Sequence, residues 1–177
     1  MQPISDLDVL QPVSSAPDAN ANIDAPKTVA SQDGANGRRV YIETYGCQMN
    51  VADSEVVASL LLQDGFGLTD REDEADVVLI NTCAIREKAE DRVRGRLAKF
   101  RAKKVKERPD LTIGVLGCMA ERLRKKLLEQ EKLVDVVVGP DAYRDLPRLV
   151  RQADETGQAG VNVQLSREET YAALAPD

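Results

Sequence analysis

The chain has 177 residues and 42% hydrophobic content, enough for one domain with a real core, although only 3% is aromatic. Its formal net charge of −6 argues against uniform attraction to nucleic acid, and no apolar run approaches the ~20 residues of a membrane-spanning helix. Histidine is absent, which excludes Ser-His-Asp and Cys-His catalytic sets and His-based zinc sites.

Residues 1–37 are rich in Ala, Ser, Asp, Gln, Asn and Pro and poor in large apolar groups. Such a stretch buries too little surface to offset chain entropy, so it is expected to be a disordered acidic leader. It has neither the basic nor the apolar region of a secretory signal. With an odd cysteine count, this argues against a disulfide framework and for a reducing, cytoplasmic setting.

Order is expected from Arg38. Val40-Tyr41-Ile42-Glu43-Thr44 reads as a first strand. Asp53 or Ser54 is placed to cap a helix running to about Asp64, with Val56, Val57, Leu60 and Leu61 at helical spacing. Gly65-Phe66-Gly67 stops it, and Leu68-Thr69 suits a short second strand. Val77-Val78-Leu79-Ile80 has no polar alternation, the mark of a strand covered on both faces. A long helix is expected from about Arg86 to Lys106, ended by Pro109. Leu111–Leu116 is the next strand, Glu121–Glu131 a helix, and Val134–Val138 a further strand. A last helix is capped by Asp141 and runs to about Asp154.

Strands alternating with helices predict an α/β fold: a Rossmann- or flavodoxin-like parallel sheet with helices on both faces. The domain is expected to span 38–154, with 155–177 a linker in which Val161–Leu165 could add one strand.

The chemistry concentrates at the cysteines. Cys47, Cys83 and Cys118 each follow an apolar or β-prone run and precede a helix-compatible stretch. Parallel strands would bring all three to one carboxyl edge, where open α/β sheets bind ligands. Three meanings are open. The cysteines are small core residues, redox-active thiols favoured by helix N-termini, or a soft-metal site for iron–sulfur or zinc. A [4Fe–4S] cluster normally takes four cysteines, so three would leave one iron open to another ligand. Asn50, Asp53 and Asn81 lie close by in sequence, as supporting polar groups or as caps and turns.

Between Arg86 and Arg108 stand eleven Lys or Arg against four Asp or Glu. That run is either a solvated helix face or a phosphate-contacting surface. Neither a G-x-G-x-x-G nor a P-loop motif is present, so nucleotide binding of those kinds is unsupported.

The stretches T-Y-G-C-Q-M-N (44–50) followed by A-D-S-E, N-T-C-A-I-R-E-K-A-E (81–90) and G-C-M-A-E-R (117–122) closely resemble the N-terminal domain of the methylthiotransferases, radical S-adenosylmethionine enzymes. Gln48-Met49-Asn50 and Arg86–Glu90 make the chain most similar to the tRNA-acting MiaB branch. The resemblance implies that Cys47, Cys83 and Cys118 bind an auxiliary [4Fe–4S] cluster whose open iron carries the transferred sulfur. It implies addition of a methylthio group to C2 of N6-isopentenyladenosine at position 37 of the tRNA anticodon loop. A radical SAM domain with a second [4Fe–4S] cluster and S-adenosylmethionine, a TRAM domain and a sulfur donor would take part, with no role for membrane or DNA. Ser166–Tyr171 resembles the linker before the radical SAM barrel. The chain is therefore expected to be a part that holds the sulfur cluster without cleaving S-adenosylmethionine. The alternative is an RNA-binding or thiol-redox flavodoxin-like module with structural cysteines.

Overall fold

The computed structural model describes residues 26–83, 87–126 and 134–156. The expected alternation of strand and helix is present. The strands are β1 (Arg39–Tyr45), β2 (Gly67–Thr69), β3 (Val77–Thr82), β4 (Thr112–Leu116) and β5 (Val136–Val138). They form one parallel five-stranded sheet in the order β2-β1-β3-β4-β5. The helices are α1 (Gln48–Gln63), α2 (Glu87–Lys106), α3 (Cys118–Lys125) and α4 (Leu146–Thr156).

Every residue of β3 is buried, as its unbroken apolar run requires. Alternate residues of the strands feed two cores. Val40, Ile42, Val77 and Leu79 pack with Val57 and Leu61 of α1 and Leu146, Leu149 and Val150 of α4. Tyr41, Val78, Ile80, Ile113 and Val115 pack with Val93, Leu97 and Phe100 of α2 and Met119 and Ala120 of α3. Both faces are thus covered, the doubly wound arrangement of flavodoxin-like folds.

Helix starts differ from expectation. Helix α1 begins at Gln48 with Cys47 as its N-cap, not at Asp53 or Ser54, and α3 begins at Cys118, not Glu121. In both cases a glycine with positive φ, Gly46 (118°) or Gly117 (91°), turns the chain at once. Asp141 caps no helix. Gly139 leads into a 3-10 turn, Pro140–Asp145, in which Ala142 leaves helical geometry, and α4 starts after it. Leu127 and Leu128, the proposed strand at 161–165, and residues 1–25 of the expected leader lie outside the described residues.

Residues 26–37 run beside the sheet. Short β2 leaves the upper edge of β1 open, and Lys27 fills it with paired backbone bonds to Thr44 (3.1 and 2.9 Å). Gln32 does the same for Leu68 (3.0 and 2.7 Å). An exposed edge is a template for unwanted pairing, and this strap covers it.

Helix α2 uses its positive charge on its own sheet. Glu43 of β1 is fully buried and is held by Arg96, by Tyr41 (3.2 Å) and by Tyr45 (3.0 Å). Arg96 also reaches Glu72 (2.6 Å) and lies over the Phe100 ring (4.8 Å). Lys99 pairs with Glu72 (2.6 Å), Lys104 with buried Asp135 (2.7 Å) and Arg108 with Asp76 (2.8 Å). Burial alone would raise the Glu72 carboxyl, but its bonds from Lys99 and Arg96 outweigh that and hold it low. Much of the surplus charge in α2 therefore fastens the helix down instead of facing a ligand.

Removing one partner of a buried pair strands the other, so Glu43→Ala should cost about 3–5 kcal/mol in unfolding free energy. A Glu43→Leu/Arg96→Met pair should cost much less, and urea denaturation separates the two. The Tyr45 phenol is pushed up to about 12 by burial and by Glu43. Its folded value exceeds its unfolded value, so its contribution is complete below about pH 10 and is lost as pH rises toward 12. Urea midpoints should fall across that window, and less steeply in Tyr45→Phe.

Candidate functional site: a rim of three thiols

Register places the three thiols. Tyr45 lies opposite Thr82, and Asn81 opposite Leu116, so β1, β3 and β4 end level at the carboxyl edge. Cys47, Cys83 and Cys118 follow those ends directly. Cys47 and Cys118 are exposed and Cys83 is half-buried, and all three are free thiols. Cys47 stands at the start of α1 and Cys118 at the start of α3.

The glycine turns lock the strand ends together. A Cβ on Gly46 would lie 2.7 Å from the Cys83 sulfur and 2.7 Å from Asn50 Oδ1. The Cys83 thiol is thus pressed against the turn that leads into Cys47. A Cβ on Gly117 would lie 2.6 Å from the Thr82 carbonyl oxygen and 2.8 Å from Asn81 Oδ1. The end of β3 is held between both turns, and only glycine fits either one.

A buried polar layer supports the rim. The Asn81 amide nitrogen donates to the Asn50 carbonyl (2.9 Å) and to Ser54 Oγ (2.8 Å), and Ser54 shares a hydrogen bond with Thr44 (2.7 Å). Both partners of the amide nitrogen fix its orientation, leaving Asn81 Oδ1 buried and without a partner. An orphaned buried acceptor of this kind costs about 1–3 kcal/mol unless a donor arrives. The Cys47 thiol points to Asn50 Oδ1 (3.5 Å). Tyr143, buried in the 3-10 turn, directs its hydroxyl at Asp53 of α1 (3.5 Å). Its phenol is held well above the ordinary tyrosine range, first by burial and then by the negative charge of Asp53 and the nearby Cys118 thiol.

Asn50, Asp53 and Asn81 thus lie where their sequence positions suggested. Tyr143 was not legible, because no motif surrounds it. Ser54 was visible only as a helix cap, a role it does not fill.

Among the described residues, no group of three His, Cys, Asp or Glu is already gathered to hold a metal ion. The residues nonetheless fit a soft metal or iron–sulfur group. The donors are three thiols without an imidazole, and their backbones end level at one edge of the sheet. What exists is a rim that can close on a ligand, not a preformed cage.

A profile of the uncharacterized protein family UPF0004 matches residues 39–139, more than half of the chain and all three cysteines. The chain belongs to this family. Among its relatives, the tRNA-2-methylthio-N(6)-dimethylallyladenosine synthase of Amoebophilus asiaticus is 62% identical over 139 residues, covering 78% of this chain and 28% of the relative. The enzyme of that name from Christiangramia forsetii is 57% identical over 141 residues, covering 80% and 29%. The human mitochondrial tRNA methylthiotransferase CDK5RAP1 is 54% identical over 142 residues, covering 78% and 24%. The resemblance to the tRNA methylthiotransferases is therefore borne out, and the chain spans less than a third of the length of each of these relatives. No helix among the described residues is long and apolar enough to cross a membrane.

Gly117→Ala should lower stability by about 1–3 kcal/mol, because it combines a left-handed φ with a backbone clash. Gly95→Ala, in α2 with nothing within 4 Å of its added Cβ, should raise stability by about 0.5–1 kcal/mol. Urea midpoints moving in the same direction for both would contradict this account of the turn.

Proposed function

We propose that residues 38–154 are the auxiliary-cluster domain of a tRNA methylthiotransferase, with Cys47, Cys83 and Cys118 as three ligands of a [4Fe–4S] group. The observation that carries this reading is the level ending of three parallel strands, each followed at once by a thiol, with the Cys83 sulfur pressed on the turn before Cys47. When bound, that group supplies the sulfur for transfer at an iron position that no cysteine fills.

The chain's own residues prepare the site. The first turns of α1 and α3 carry Cys47 and Cys118 to the sheet's carboxyl edge. Gly46 leaves room for the Cys83 sulfur, and Gly117 for the end of β3 at Asn81 and Thr82. Leu116 and Met119, which flank Gly117-Cys118 in the chain, are fully buried in the two opposite cores and anchor that turn. Asn81 fastens β3 to α1 and leaves one acceptor oxygen unspent beneath the rim.

The rest of the reaction follows from the relatives' names and from the resemblance at the three cysteine stretches. A radical SAM domain with a second [4Fe–4S] cluster, S-adenosylmethionine, a TRAM domain and a sulfur donor would complete the enzyme in the cytoplasm. The substrate would be N6-isopentenyladenosine at position 37 in the tRNA anticodon loop, methylthiolated at C2. Residues 155–177 would lead toward the radical domain, and residues 38–154 would hold the cluster without themselves cleaving S-adenosylmethionine. A module that only docks RNA through α2 and the turn after it has weaker support, because Arg96, Lys99 and Lys104 of α2 and Arg108 just beyond it are engaged with carboxylates of the same domain.

Anaerobic reconstitution with iron and sulfide should give a brown, oxygen-labile protein. Cys47→Ala, Cys83→Ala and Cys118→Ala should each weaken cluster retention about tenfold or more, while the fold, followed by circular dichroism, persists. A colourless product from the unaltered chain, with no more than trace iron, would overturn the reading.

A further inference from the structure

Among the described residues, one hydrogen bond is made by a cysteine side chain: the Cys47 thiol donates to Asn50 Oδ1 (3.5 Å). The same oxygen and the Cys83 sulfur each lie 2.7 Å from a single point, the place that a Cβ on Gly46 would occupy. Asn50 therefore faces Cys47 directly and shares with Cys83 the gap that Gly46 leaves open.

Asn50 cannot withdraw from this place. It is only 5% exposed and lies in the first turn of α1. Its backbone N–H donates to the Cys47 carbonyl (3.1 Å), and its own carbonyl accepts from the Asn81 amide nitrogen (2.9 Å). The backbone is thus tied both to the rim turn and to β3, and the freedom that remains is in the side-chain torsions. The side-chain NH2 has no partner among the described residues.

An amide carries an acceptor oxygen at one end and N–H donors at the other. The oxygen suits a thiol, which has a hydrogen to give. A sulfur that ligates a metal has given up that hydrogen and only accepts. The oxygen would then set acceptor against acceptor. The terminal amide torsion is broad and roughly two-fold, and the two ends of the amide have nearly the same shape, so half a turn exchanges them without new space.

We propose that Asn50 is a positioning residue for the cluster: its amide turns over when Cys47 becomes a ligand, and an N–H then donates to the Cys47 sulfur. This rests on the cluster reading above. The bond fixes the direction of an exposed side chain and, being made to a charged sulfur, is stronger than the neutral bond it replaces. Hydrogen bonds to cluster sulfurs favour the more electron-rich reduced form and so raise the reduction potential.

The test uses the full chain, reconstituted anaerobically with iron and sulfide. Asn50→Leu has nearly the shape of asparagine and no amide dipole. If an N–H faces the sulfur, its loss lowers the potential; if the oxygen faces the sulfur, its loss raises the potential. The expected result is a fall: at a fixed potential the reduced-to-oxidised ratio drops about tenfold, equivalent to about 59 mV for a one-electron couple. Iron should also leave about tenfold faster under a chelator. Tyr45→Phe is the control, because the Tyr45 hydroxyl serves Glu43 (3.0 Å), and neither readout should move. A loaded Asn50→Leu whose potential is unchanged or raised overturns this proposal and leaves the cluster reading standing, as does an equal shift in Tyr45→Phe. If Asn50→Leu does not fold or load, Asn50→Asp decides, since it suits a first helical turn, keeps an oxygen in the same place and, ionised, has no hydrogen to give. Iron retention by Asn50→Asp equal to that of the unaltered protein overturns the proposal, and retention weakened about tenfold or more, with the fold intact by circular dichroism, upholds it. Failure of the unaltered protein to take up iron and sulfide overturns both readings.

Discussion

Parallel pairing sets everything at the rim. In an antiparallel sheet, neighbouring strands end at opposite edges, and three thiols placed after strands would be scattered. Here β1, β3 and β4 run the same way and stop at the same height, with Tyr45 beside Thr82 and Asn81 beside Leu116. Any residue that follows these strands is delivered to one line. The register is held by burial on both faces, since a one-residue slip would turn Val40, Ile42, Val77 and Leu79 toward the opposite core. The placement of the cysteines is therefore a property of the core, not of the loops that carry them.

The turns convert that line into a compact site. Gly46 and Gly117 have positive φ; Gly46 abuts Asn50 and the Cys83 sulfur, and Gly117 abuts Asn81 and Thr82 of β3, so closely that no side chain would fit. They give up the conformational economy of a larger residue in return for immediate helix starts. The buried amide of Asn81 then ties β3 to α1 through Asn50 and Ser54. On the other face, Glu43 and Arg96 do equivalent work between β1 and α2. Buried polar groups of this kind confer little net stability over apolar replacements, but they make one arrangement strongly preferred over its neighbours.

The architecture was legible because its signals are local and repeated. The apolar run Val77–Ile80 has one sensible place in a parallel sheet, and the βα alternation needed no tertiary information. The cysteines were legible for the same reason, since each follows a strand. Helix starts at Gln48 and Cys118 were misplaced by several residues because Asp53, Ser54 and Glu121 look like better caps in sequence. Only the positive-φ glycines, crowded by Asn50 and Cys83 at Gly46 and by Asn81 and Thr82 at Gly117, mark the true boundaries. The basic run from Arg86 to Arg108 stayed open between two readings for another reason. Its acidic partners Glu43, Glu72, Asp76 and Asp135 come from four distant segments, so a linear charge count sees the cations without their partners. Tyr143 was invisible, because what distinguishes it is the company its hydroxyl keeps across 90 residues of chain.

The contrast between the two layers of the rim bears on how such a site works. The lower layer, Thr44, Ser54 and Asn81, is buried and bonded at 2.7–2.9 Å. The upper layer is looser, with Cys47 and Cys118 exposed and the best polar contacts of Cys47 and Tyr143 at 3.5 Å. A metal site gathered only when its ligand binds draws on that binding energy to order its own side chains. If the backbone also had to move, the two hydrophobic cores would have to deform, and close-packed interiors resist that. Confining the adjustment to a few side chains above a fixed floor lets a ligand be taken up, changed and replaced without disturbing the sheet. A site that takes up and releases a ligand needs that separation, and here it follows from where three parallel strands stop.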